Sequence, residues 1–284
     1  MKKILIPTDF SNHSRNAAFY AVELAKQLRA HLVLYHAYSV PSAITSPPVY
    51  SYSFPDKSKL MEEVDKIETS NFVRLKFFRD TILKGKRNPC CSIVQQRAFV
   101  NEGITQYATN HDNDLIVMGT RGSQQAGDML ISNITWGVIQ KSKVPVLAIP
   151  EGCKYQKIKH ICFINNIRED DAALIQKLSG YAEMFNARLS VVHISNKPGN
   201  HEEQKFFDSH SKDHFRKTGN ENLDFKMLEH KDVSVALAEY LKDTNVDLLA
   251  MSYEKRELFD QLFDQSFNRM FARHADVPLL AFPS

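Results

Sequence analysis

The chain carries the same pattern twice. Lys2-Lys3-Ile4-Leu5-Ile6 returns as Lys159-His160-Ile161-Cys162-Phe163 at an offset of 157 residues, which sets Asp9 opposite Asn166. The same offset runs through the segment that follows. Ala18, Ala21, Ala25 and Leu28 fall opposite Ile175, Leu178, Ala182 and Phe185, an apolar stripe at helical spacing in both copies. Ala30 to His36 then matches Ala187 to His193, each with the pattern of a buried strand. Toward the copies' ends the offset becomes 133: Asp114 to Met118 matches Asp247 to Met251, and Val144 to Pro150 matches Val277 to Pro283. The first copy therefore holds 24 extra residues. They lie around a Ser/Pro/Tyr-rich stretch from Ser39 to Pro55 and a helical segment from Lys57 to about Leu83. A repeat of this kind has to be found before elements are assigned, because each copy is one structural unit.

Each copy reads strand, helix, strand, insertion with helix, strand, helix, strand, helix, strand. Short apolar strands alternating with helices predict a parallel sheet covered on both faces. Right-handed crossovers then give an open, doubly wound sheet. The expected fold is α/β, with two tandem doubly wound, Rossmann-like domains at 1–150 and 151–284 joined by a short polar link, Glu151 to Gln156. In such sheets the ligand site lies beyond the carboxyl ends of the strands, at the topological switch point. Asp9 and the loop after Met118 both fall at such ends.

Composition removes several function classes. Lys and Arg number 36 against 33 Asp and Glu, and no basic run is interleaved with exposed aromatics, so nucleic acid is not expected as a partner. Apolar runs such as Leu115 to Met118 or Leu279 to Phe282 are far shorter than a membrane span. Thr8 and Asp9 end the apolar start too early for a secretion signal. Cys90, Cys91, Cys153 and Cys162 form no Cys-x-x-Cys pair and no metal spacing, which predicts free thiols in a reducing cytoplasm.

One motif carries chemistry. Gly119-Thr120-Arg121-Gly122 follows a strand, and nine residues later Ser132-Asn133 opens the helix through Val138 and Ile139. Glycines let backbone approach an anion closely, and a helix N-terminus offers unpaired N–H groups and a positive dipole end. A Gly-x-x-Gly turn alone is equally explained by the needs of an αβ connection. Here it has a strand before it, a helix after it and Asp9 at the end of the first strand.

With these segments, Lys3 to Ser11, Asp114 to Gly122 and Lys143 to Ala148, the chain resembles the universal stress protein family, across both copies. That resemblance implies an adenine nucleotide α-hydrolase-like fold and an ATP site. Pro7, Thr8, Asp9 and Ala37 would line the adenine and ribose end, with Met118, Gly119, Arg121, Gly122, Ser132, Asn133 and Thr135 along the triphosphate, and Mg²⁺ as an accompanying ion. The family pattern has Gly where this chain has Ser132. A left-handed backbone there would cost serine about 1–2 kcal/mol. Asn133 would contact phosphate or cap the helix. In the second copy Ser252 and Lys255 stand opposite Gly119 and Gly122, Asn166 replaces Asp9, and Ser266 stands opposite Asn133. The second copy is thus expected to bind no nucleotide, with Lys255 and Arg256 as a solvated charge cluster.

Other features are read as structural. His36 and His193 end equivalent strands as satisfied histidines. His210 and His214 lie on an amphipathic helix without a third ligand. Lys84, Lys86 and Arg87 read as a solvated helix end. The aromatic stretch Tyr50 to Phe54 covers a ligand, meets a partner or is simply a mobile loop. No Walker loop, nucleophile elbow or zinc motif is present. The leading expectation is a cytoplasmic stress-response protein that binds ATP in its first copy and acts as sensor or regulator. It would form an internal pseudo-dimer through the strands ending Pro150 and Pro283, with a homodimer and unidentified protein partners further expectations. The alternatives are a scaffold of the same fold without nucleotide and, more weakly, a slow ATPase, for which no residue positions water or metal.

Overall fold

The computed structural model describes residues 1–39, 57–85, 89–120, 131–165, 172–197, 199–218, 222–252 and 277–283. Among them, the first half runs β1 (Lys3–Pro7), α1 (Asn12–Leu28), β2 (His31–Tyr38), α2 (Lys57–Ile82), β3 (Cys91–Arg97), α3 (Val100–Asn110), β4 (Leu115–Gly119), α4 (Asn133–Lys141) and β5 (Val146–Ile149). The second runs β6 (His160–Ile164), α5 (Ala172–Phe185), β7 (Arg188–Ser195), α6 (His201–Thr218), β8 (Leu223–Glu229), α7 (Val233–Thr244), β9 (Leu248–Ser252) and β10 (Leu279–Phe282). The helix expected between β9 and β10, with Lys255, Arg256 and Ser266, lies outside the described residues, as do Asn166, Lys86, Arg87 and the stretch Tyr50 to Phe54.

All ten strands form one sheet in the order β3-β2-β1-β4-β5-β10-β9-β6-β7-β8. Each half has the same internal order, and only the β5–β10 join is antiparallel, with Ala148 opposite Leu279 and Val146 opposite Ala281. The fold is α/β, two tandem doubly wound units.

The strands are apolar throughout because both faces are covered. Ile4 and Ile6 face one core with the buried sides of α1, α2 and α5. Leu5 faces the other with α3, α4 and α7. Each core runs through both halves, since Leu147 and Leu280 meet on one side of the join and Ala148 and Leu279 on the other. The link between the halves departs from the polar tether expected of it. Within it Glu151, Gly152 and Lys154 are exposed, but Cys153 is buried, and Asn16 Nδ2 donates to the carbonyls of Pro150 at 3.0 Å and Cys153 at 3.2 Å.

Small side chains bring α1 close to the sheet: Ala17, Ala18, Ala21 and Ala25 are buried. The helix starts at Ser11, whose Oγ accepts from the N–H of Ser14, and stops at Arg29, which turns left-handed at φ 52°. One device recurs at matching positions in both halves. The Asp114 carboxylate accepts from the N–H groups of Lys2 and Lys3 at 2.6 and 2.9 Å, and that of Asp247 from Lys159 and His160 at 2.8 and 3.0 Å. The repeat legible in the sequence is thus repeated in hydrogen bonds.

Candidate functional site at the switch point of the first half

Strand order reverses between β1 and β4, and a cavity of about 110 Å³ lies at the carboxyl ends of the strands there. Pro7, Thr8 and Asp9 line it from β1 and the following turn, Tyr35 and Ala37 from β2, and Met118 and Gly119 from β4. Ser132, Ile134 and Thr135 enter from the start of α4, Val100 and Ile104 from α3, and Ser14 from α1. Eight of the residues singled out in the sequence therefore share one cavity. Arg121 and Gly122 lie outside the described residues.

Two expectations need correcting. Asn133 is exposed and does not line the cavity; it is the first residue of α4, and the cap is Ser132. Ser132 Oγ accepts from the Thr135 N–H at 3.1 Å, so the hydroxyl one residue earlier takes the capping position. Ser132 itself has φ −65° and ψ 154°, ordinary extended backbone, so the cost attached to a left-handed serine does not arise. The loop's ends are stitched together: Ser132 N–H donates to the Thr120 carbonyl at 2.5 Å, and Thr135 Oγ1 donates to the Gly119 carbonyl at 2.8 Å.

Gly119 is glycine for packing reasons. A Cβ there would meet the His13 carbonyl oxygen at 2.8 Å, because the first turn of α1 lies against the end of β4. This is close helix–strand contact.

Five lining residues carry no motif: Ser14, Tyr35, Val100, Ile104 and Ile134. Tyr35 is fully buried and donates its hydroxyl to Gln96 Oε1 at 3.0 Å; burial first, and Tyr107 second, push its phenol up to about 12. It is a fixed apolar floor, not a titrating group. The one available signal for Val100 and Ile104 was their i, i+4 spacing just after a strand end.

The Asp9 turn is held tightly. Ser11 N–H donates to Asp9 Oδ1 at 3.0 Å, and Phe10 N–H donates to Thr8 Oγ1 at 3.0 Å, which itself meets Ser14 Oγ at 3.0 Å. Phe10 has φ 64°, a left-handed conformation that costs a bulky residue about 1–2 kcal/mol. His36 donates its Nδ1–H to the Thr8 carbonyl at 2.8 Å. Burial, and then the nearby Arg74 charge, hold its imidazole below the ordinary value. His193 does the same to Asn165 at 3.0 Å, so both histidines serve the backbone as expected.

Chemically, the cavity is apolar inside, with a carboxylate at its mouth and the positive end of α4 beside it. Among the described residues, no cluster of His, Cys, Asp and Glu suits a metal ion, and no helix is long and apolar enough to cross a membrane.

Residues 1–150 match the sequence pattern of the Universal stress protein family. A universal stress protein of Thermus aquaticus is 27% identical over 148 residues, covering 52% of this chain and 98% of that protein. One from Methanocaldococcus jannaschii is 28% identical over 153 residues, covering 52% and 81%. The crystal structure of a universal stress protein from Archaeoglobus fulgidus shares the fold over 99% of this chain and 98% of its own, with a TM-score of 0.68 at 13% identity. A functionally unknown protein of Pseudomonas aeruginosa has the same fold, with a TM-score of 0.56 at 10% identity over 100% and 92% of the two chains. This chain belongs to the universal stress protein family.

Proposed function

We propose that the first half binds an adenine nucleotide, ATP or a close relative, and that the chain works in the stress response as a nucleotide-dependent sensor or regulator in the cytoplasm. The observation that carries this reading is the convergence of Pro7, Thr8, Asp9, Ala37, Met118, Gly119, Ser132 and Thr135 on one cavity beside the start of α4. The cavity suits a flat ring. Its volume of about 110 Å³ is of the order of the ~150 Å³ cavity that takes up benzene, so the base enters and the sugar and phosphates lie in the mouth. There Asp9 accepts from a ribose hydroxyl, and N–H groups at the start of α4 donate to phosphate oxygens. Mg²⁺ would arrive with the phosphates. Among the described residues lining the cavity Asp9 is the one charged side chain, and the reading is of a binder, not an ATPase.

We take the units as 1–150 and 151–284, with nucleotide in the first alone. In the second, Ile194 stands where Ala37 lines the cavity. The β5–β10 pairing supports an internal pseudo-dimer, leaving other surfaces for protein partners or a second chain. A scaffold role without nucleotide is favoured by one observation: Met61, Val73 and Phe77 on α2 are 72%, 60% and 72% exposed.

Native mass spectrometry of the purified chain, with ATP titrated against wild type and Ala37→Ile, separates the two. Saturable binding lost in the variant supports the nucleotide reading. No bound nucleotide and no saturation at millimolar ATP removes it and leaves the scaffold.

A further inference from the structure

The turn that carries Asp9 straddles the sheet. Thr8 and Asp9 line the cavity on the side of Tyr35, Ile104 and Met118, while the Phe10 side chain packs against the opposite core. There its ring is held between elements far apart in sequence. The Arg74 guanidinium of α2 lies 4.1 Å from the ring centroid, the His36 imidazole of β2 lies 4.5 Å away, and Phe78 of α2 meets it edge-on at 6.0 Å. A phenylalanine at φ 64° is strained, and such strain persists only where the surroundings over-determine it. These three contacts supply that. His36 also donates to the Thr8 carbonyl, so the same imidazole fixes the backbone on one side of Asp9 and the Phe10 ring on the other.

We propose that Phe10 and Arg74 are positioning residues for the first-half ligand site. Arg74 clamps the Phe10 ring against His36, and this holds the strained turn that presents the Asp9 carboxylate to the cavity. The helix α2 thereby gains a grip on ligand affinity from the far side of the sheet, and a partner that moves α2 would loosen Asp9. This rests on the reading that the cavity binds a nucleotide.

The test titrates wild type, Arg74→Gln, Phe10→Gly and the double variant with ATP and with adenosine. Arg74 is on an exposed stretch of α2, so its replacement leaves the cores untouched, and glycine adopts the left-handed turn without strain. Each single variant is expected to weaken both ligands by the same factor, about threefold to tenfold. The double variant is expected to be no weaker than the weaker single one, because the same ring contact is removed in each case. A loss confined to ATP would mean that Arg74 only attracts phosphate charge, and additive losses would mean that the two residues act separately; either result overturns the proposal. A second readout needs no ligand. The Phe10 and Ser11 N–H groups, which donate to Thr8 Oγ1 and Asp9 Oδ1, should exchange with solvent faster in Arg74→Gln while the amides of β1 are unchanged. Wild type that binds neither ligand would refute the nucleotide reading itself. The exchange measurement then still decides: unchanged rates refute the clamp, and faster rates at these two amides uphold it.

Discussion

The two halves share strand order, the carboxylate that ties down the first strand and the histidine that serves the turn after it, yet they differ where strands end. In the first half Ala37 leaves space, Val100 is 39% exposed and a cavity opens between them. At the matching positions of the second half stand Ile194, 5% exposed, and Val233, 8% exposed, both packed into the core with Leu237 and Met251. Ser252 stands in place of Gly119. Among the described residues, these two strand-end and helix-start positions are thus open in the first copy and packed in the second. The two copies keep the groups that hold strands together and differ in side-chain volume at a few strand ends, which on the proposed reading decides whether a ligand can enter.

The largest test of that difference carries the second copy's residue into the first. Ala37→Ile should fill the cavity and weaken ATP binding at least about 100-fold, or about 2.7 kcal/mol, read by calorimetric titration. The reciprocal Ile194→Ala should create no ATP site and should instead destabilise the fold by about 2–5 kcal/mol in denaturant unfolding, as a cavity in a packed core does. Next in size is Gly119→Ser. Its Cβ would meet the His13 carbonyl at 2.8 Å, so unfolding should show a loss of about 1–3 kcal/mol with binding weakened as the first turn of α1 is pushed away.

Much of this was legible from the sequence because a repeat checks itself. The offsets of 157 and 133 align β1 with β6 and β4 with β9, and Asp114 with Asp247, before any coordinates. The candidate cavity was legible from strand ends at Asp9 and the loop after Met118, and from the family resemblance at Pro7, Thr8 and Ala37. It was illegible where helices cross it. Tyr35 reads as one more buried strand residue, and Val100, Ile104 and Ile134 read as helix residues, since nothing in spacing says which end of a helix overhangs a strand end. Ser132 and Asn133 are both good caps, so the choice between them depended on which hydroxyl or amide met the Thr135 N–H.

Smaller effects test the shared frame. Asp114→Ala and Asp247→Ala should each cost about 1–2 kcal/mol in unfolding, and by similar amounts, because each removes an acceptor from two N–H groups at the start of a strand. Unequal losses would break the equivalence of the halves. Acid should act on each half through a histidine at a different, non-equivalent position. His36 and His160 are each held below the usual imidazole value of about 6.5, chiefly by burial and then by Arg74 and Arg188 respectively. The unfolded chain therefore takes up protons first, so stability is undiminished above pH ~6.5 and falls as the pH drops below it. In His36→Gln and His160→Gln the slope of stability between pH 7 and 5 should flatten in each case. The smallest change is expected at Val73→Ser on the exposed face of α2, within about 0.5 kcal/mol.

The central claim is that one copy is open to nucleotide and the other closed. Calorimetric titration of the whole chain with ATP tests it most directly. The predicted result is saturable binding of one ATP per chain, lost in Ala37→Ile. Two sites per chain, or a single site that survives Ala37→Ile, would contradict it.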